Sequence, residues 1–210
     1  MTRRCSLTHL PALEITGADG ARFCGADQDW YRTVWQQRAG CGPTTASVLL
    51  AYLARTRGLP ALCGLERLEQ DAFVDFMEQV WEYVTPGSKG LNKVSMFTDG
   101  VARFGADRGV SLHPRWMEVP AREPRPSLDD CCAFLRAGLE QDCPVAFLNL
   151  DNGEETRLDK WHWVLVTGIE EGPERVDCTI ADSGKVLTID LSLWHRTAQD
   201  LGGFVWVETL

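Results

Sequence analysis

The chain has 210 residues, 44% of them hydrophobic and 24% charged, with a net charge of −9. That apolar content supports a real core, and an acid excess with no basic stripe argues against nucleic acid as a partner. No run reaches the roughly 18 to 20 apolar residues that span a bilayer, and Thr8, His9 and Pro11 interrupt the N-terminal stretch where a signal peptide would need an apolar core, so a cytoplasmic protein without membrane insertion is expected.

Residues 1–35 read as irregular, with a short strand at Leu10 to Ile15. The first strong helix runs from about Cys41 to Arg57, with Val48, Leu49, Tyr52 and Leu53 at helical spacing and Gly58 and Pro60 ending it. A second covers about Leu65 to Val84, after which TPGSKG breaks the pattern. A third spans about Asn92 to Asp107, and a strand follows from Val110. VPAREPRPS is a proline-rich connector, and Ser127 with Asp130 three residues on marks the start of a helix to about Gln141. After Pro144 the character changes. VAFLNL, HWVLVTGI, VDCTIADS, KVLTIDL and GGFVWVETL are short β-rich runs separated by turn residues, and LSLWHRTAQD between the last two reads as a short helix or turn. The order predicts an α+β fold, one domain over 1–210, with a helical lobe at about 30–142 and a mostly antiparallel β-sheet lobe at about 143–210. A cleft between such lobes is a natural place for chemistry.

The eight cysteines contain no C-x-x-C pair, and without a signal peptide they are expected as free thiols. No two histidines stand at i, i+4, which argues against a metal hydrolase, and no metal or other cofactor is expected. One cysteine stands out. Cys41 falls where a loop turns into a helix, flanked by Gly40 and Gly42, with Pro43 in the first turn. A helix start has unpaired N–H groups and a positive dipole end, which favour a thiolate. His162 opens the strand HWVLVTGI and Asp182 closes the next, so antiparallel pairing of the two strands is able to bring the carboxylate beside the imidazole. Gln36 or Gln37, just upstream, offers an amide donor for an oxyanion, Gln36 being preferred. His195, near the end of the chain, is the rival base.

GCGPTTASVLLAYL, HWVLVTGI and IADSG, in that order, resemble the papain-like cysteine peptidase superfamily. The likeness is strongest to the bacteriocin-processing peptidases of cysteine peptidase family thirty-nine and their stand-alone relatives. It implies a papain-like two-lobed fold with Cys41 as nucleophile, His162 as base, Asp182 as its orienter and Gln36 or Gln37 as oxyanion donor. The activity implied is thiol-dependent hydrolysis of a peptide or small amide through an acyl-enzyme. The same site on an acyltransferase, or on a catalytically idle peptide-binding module, are the alternatives.

Overall fold

A computed structural model describes residues 2–209. Its first half holds three short strands, β1 (Arg3–Ser6), β2 (Glu14–Thr16) and β3 (Arg22–Cys24), then four helices, α1 (Val34–Ala39), α2 (Cys41–Thr56), α3 (Gln70–Trp81) and α4 (Val94–Asp107). The second half holds β4 (Leu112–Val119), α5 (Leu128–Glu140), β5 (Val145–Asn149), β6 (His162–Glu171), β7 (Val176–Asp182), β8 (Lys185–Asp190), α6 (Leu191–Thr197) and β9 (Gly202–Thr209). The architecture is α+β, and every strand pair in its two sheets is antiparallel. No helix among the described residues is long and apolar enough to cross a membrane.

The large sheet runs β4-β9-β5-β6-β7-β8. β1 pairs with the far half of β6, at Gly168 to Glu171, beyond the stretch that β5 covers. The division by sequence is therefore looser in space: β1 and β4 lie before the expected sheet lobe at 143–210 yet belong to the sheet, and α5 packs on β6 and β1.

At the centre lies α2, buried without a break from Cys41 to Ala54. A helix buried on all sides is a core element rather than an amphipathic one. It lies on β6 on one side and on α3 and α4 on others. Thr45 Oγ1 donates to the Trp163 carbonyl at 3.2 Å, tying the nucleophile's helix to the histidine's strand one residue beyond that histidine. Trp163 in turn stacks on Phe97 of α4 and donates from its indole N–H to the Leu91 carbonyl at 2.7 Å.

Several expected elements shift. The strand at Leu10 to Ile15 is a 3₁₀ turn over Leu10–Leu13, because Pro11 fits a helical first turn and has no N–H to give a sheet; only Glu14 to Thr16 pairs. The helix expected from Leu65 starts at Gln70, since the Leu68 carbonyl accepts the Thr16 N–H and holds that segment extended. The capping box at Ser127 and Asp130 is present as expected, with both hydrogen bonds made. The expected helix or turn near His195 is α6.

Candidate active site

The N-terminus of α2 is made by a break in the chain's course. α1 ends at Ala39, Gly40 connects, and Cys41 begins α2. The two flanking glycines earn their place by packing, not by backbone freedom: Gly40 is ordinary right-handed backbone at φ −84°. A Cβ on Gly40 would lie 2.4 Å from the Gln36 carbonyl oxygen and 2.7 Å from the Tyr31 ring, and one on Gly42 would lie 2.4 Å from Leu91. Cys41 is thus held tightly, and it is buried.

His162, the first residue of β6, faces it. Both side chains line one cavity. His162 Nε2 stands 2.8 Å from Asp182 Oδ1, which leaves Nδ1 as the nitrogen available to the sulfur. The sheet register explains this reach. Leu165 pairs with Ala181, so Asp182 comes opposite Val164, and His162 stands two residues further along the same face. Asp182 is fixed by the β7–β8 hairpin, whose two-residue loop, Ser183 and Gly184, has both residues at positive φ, as a tight primed turn requires. Ser183 also donates to Asp182 Oδ1 at 3.2 Å.

Burial alone would lower the pKa of His162, but its hydrogen bonds to Asp182 and Cys41 outweigh this and raise it from 6.5 to about 10. The ring is set up as an imidazolium between two acceptors.

The structure does not bring Gln36 or Gln37 to this cluster. The Gln36 amide N–H₂ is bonded to the Glu78 carboxylate and its carbonyl oxygen accepts from Thr33. These partners turn it away from Cys41 toward α3. Gln37 is spent on the Asp29 and Tyr31 carbonyls. His195 Nε2 donates to the Pro126 carbonyl at 2.8 Å, and the ring takes no part.

In their place stands Gln28, which sequence reasoning missed. It lies in a 3₁₀ turn, Gln28–Trp30, well upstream of the nucleophile. With Thr44 it lines the small cavity that also holds Cys41, His162 and Asp182. Its Nε2 donates to the Gln37 carbonyl at 2.6 Å, and its Oε1, like Thr44 Oγ1, is buried there without a protein partner. No sequence signal ties it to Cys41; α1, folding back between the two, creates the proximity.

All eight cysteines are free. Burial pushes the thiols of Cys131 and Cys143 up to about 12 and that of Cys132 to about 11, and Cys178 well above 9.0. Cys5, Cys24 and Cys63 are raised as well, again by burial first. None of these keeps a thiolate near neutral pH.

No family model matches the chain. No curated protein matches it either. Among solved structures it is similar to a double glycine motif protease from an AMS/PCAT transporter, solved in complex with the leader peptide, at 12% identity over 80% of this chain and 84% of that one, with a TM-score of 0.39. It is also similar to the Pseudomonas avirulence protein AvrPphB, at 11% identity over 89% of this chain and 97% of that one, with a TM-score of 0.35. Similarity at that level bears on neither activity nor substrate.

Proposed function

We propose that the chain is a papain-like thiol hydrolase of peptide or small amide bonds, with Cys41, His162 and Asp182 as its triad. The observation that carries this reading is the half-buried Asp182 carboxylate bonded to His162, which shares its cavity with a thiol at the first residue of a helix. Each link supplies what acyl transfer needs. The helix start offers unpaired N–H groups to negative charge. The imidazolium pairs with the thiolate. The carboxylate holds the ring's tautomer and orientation.

In the first half-reaction the Cys41 sulfur attacks the substrate carbonyl carbon, and the C=O pair moves onto oxygen. His162 gives its proton to the amide nitrogen, the C–N bond breaks, the amine leaves, and a thioester remains on Cys41. In the second, water attacks the thioester while neutral His162 takes its proton. The C–S bond breaks, the acid departs, and the thiolate–imidazolium pair is restored. The oxyanion of both intermediates falls to the Cys41 backbone N–H and to the Gln28 amide, whose second hydrogen has no partner among the described residues. One such donor contributes about 3–4 kcal/mol in well-studied hydrolases.

The test is to incubate the protein with a pool of random peptides, quench in acid and weigh the intact protein. An acyl adduct on Cys41 and new peptide termini, both absent in Cys41→Ala, are the expected result. Cleavage surviving in Cys41→Ala, or no adduct on any peptide, refutes the reading. Adding hydroxylamine separates water from amine acceptors, because a transferase makes hydroxamate at the expense of free acid.

A further inference from the structure

A second hollow opens on Cys41, a cleft of about 230 Å³. Two tryptophans line it, Trp35 from α1 and Trp161 from the segment leading into β6, and each remains 49% exposed. Exposing so much indole surface is unfavourable unless something covers it. Trp161 carries a second cost. Its φ is +57°, a left-handed conformation that bulky residues rarely adopt. The segment is held there firmly. The buried Asn149 amide donates to the Asp159 carbonyl at 2.7 Å, and Lys160 pairs with Asp151 at 2.9 Å. The Trp161 carbonyl lies 3.9 Å from the Cys41 sulfur, and both residues line the same cleft.

The opposite wall is the loop between α3 and α4. Gly87 and Gly90 exchange two backbone hydrogen bonds, 3.1 and 2.9 Å, and put Ser88 and Lys89 at the tip. Leu91 docks that loop onto the start of α2, against Gly42. The loop is therefore built into the nucleophile's support, and it presents Lys89 to the cleft. Arg38, at the end of α1, lines the same cleft. Neither cation has a carboxylate within ion-pair distance among the described residues, although acids outnumber bases 30 to 21 in the chain. Two unpaired cations on one rim of an acidic protein, over an aromatic floor, make a charge-selective surface.

The geometry points to a cleft that selects acidic peptide segments: an aromatic or large apolar side chain lies against Trp35 and Trp161 while an Asp or Glu side chain reaches Arg38 and Lys89. This assignment rests on the thiol-hydrolase reading of Cys41, and names the substrate class of that same site. It also gives a use to the TPGSKG segment, which otherwise only joins two helices.

The experiment uses tetrapeptidyl chloromethyl ketones in which one Phe, and one Asp, Asn or Lys, are walked through the positions. The rate of Cys41 labelling is read by mass spectrometry, with iodoacetamide as an uncharged reference. The best Asp compound is expected to label about tenfold faster than its Asn twin, two solvent-exposed charge pairs being the difference, and its Lys twin to be slower still. The advantage of Asp over Asn shrinks to within twofold in the Arg38→Gln, Lys89→Gln double variant, and it weakens with added salt. Equal labelling by the Asp, Asn and Lys series overturns the cleft assignment and leaves the thiol site standing. Failure of Cys41 to react with every compound, iodoacetamide included, brings down the hydrolase reading and this assignment with it.

Discussion

Asp182 reaches Cys41 only through His162. It accepts from the ring at 2.8 Å, and it is the first of the influences that hold the proton on that ring against burial. Replacing it with Asn keeps the shape and removes the charge. Turnover in Asp182→Asn is expected to fall by roughly 10²–10⁴-fold. The imidazole pKa should move down from about 10 toward 6.5, read by NMR of the ring. An unchanged ring titration would mean that the carboxylate is a structural neighbour only. The three residues of the proposed triad could be picked out in the sequence because each sits at an element boundary, a helix start, a strand start and a strand end, and boundaries show in local pattern. The glutamine that lines their cavity could not. Gln36 has the right chemistry and a plausible position, but Glu78 and Thr33 claim both ends of its amide, and only tertiary packing reveals that. Gln28 reaches the site from a distance that no spacing rule anticipates.

Among the elements, the pair α1 and α2 decides how rigid the nucleophile is. The periodicity of α2 made it easy to read, whereas α1, six residues long, is too short to show any. What requires the glycines on either side of Cys41 is space. The two sites predict different costs. At Gly42 the clash is with the Leu91 side chain and not with backbone, and the better helix propensity of Ala offsets part of it. Gly42→Ala is expected to lose about 1 kcal/mol in urea unfolding. At Gly40 the clash is with the Gln36 backbone carbonyl and the Tyr31 ring, neither of which moves easily, so Gly40→Ala should lose about 3 kcal/mol. The ranking is the test: a Gly40→Ala protein as stable as wild type contradicts the tight junction. The late start of α3 escaped sequence reading for a related reason: a contact with a distant residue, Thr16 with Leu68, overrides local preference.

For the molecule as a whole, two groups predict opposite slopes of stability against pH. Burial would raise the pKa of Asp142, but hydrogen bonds from the Thr8 N–H, His9 and the Tyr52 hydroxyl outweigh it and lower it from 3.8 to about 2. Its contribution is full above 3.8 and is lost as the pH falls through about 2. His162 has a raised pKa, so its contribution is full below 6.5 and is lost as the pH climbs through about 10. Urea midpoints should therefore peak between these flanks, and the alkaline loss should shrink in Asp182→Asn. A curve flat from pH 7 to 10 in wild type would contradict the raised histidine. The α+β class and the antiparallel sheet were legible because alternating β-rich runs with turn residues dominate the chain after Pro144. The placing of β1 and β4 in that sheet was not, since strand partners far apart in sequence leave no local trace.

The most direct test of the account is site-resolved alkylation at pH 6, wild type against His162→Ala. With the imidazolium in place, Cys41 should react with iodoacetamide at least tenfold faster than any of the seven other cysteines, and this advantage should vanish in the variant. Cys41 reacting no faster than Cys24 or Cys63, or reacting equally fast with and without His162, would show that thiol and imidazole do not work as a pair.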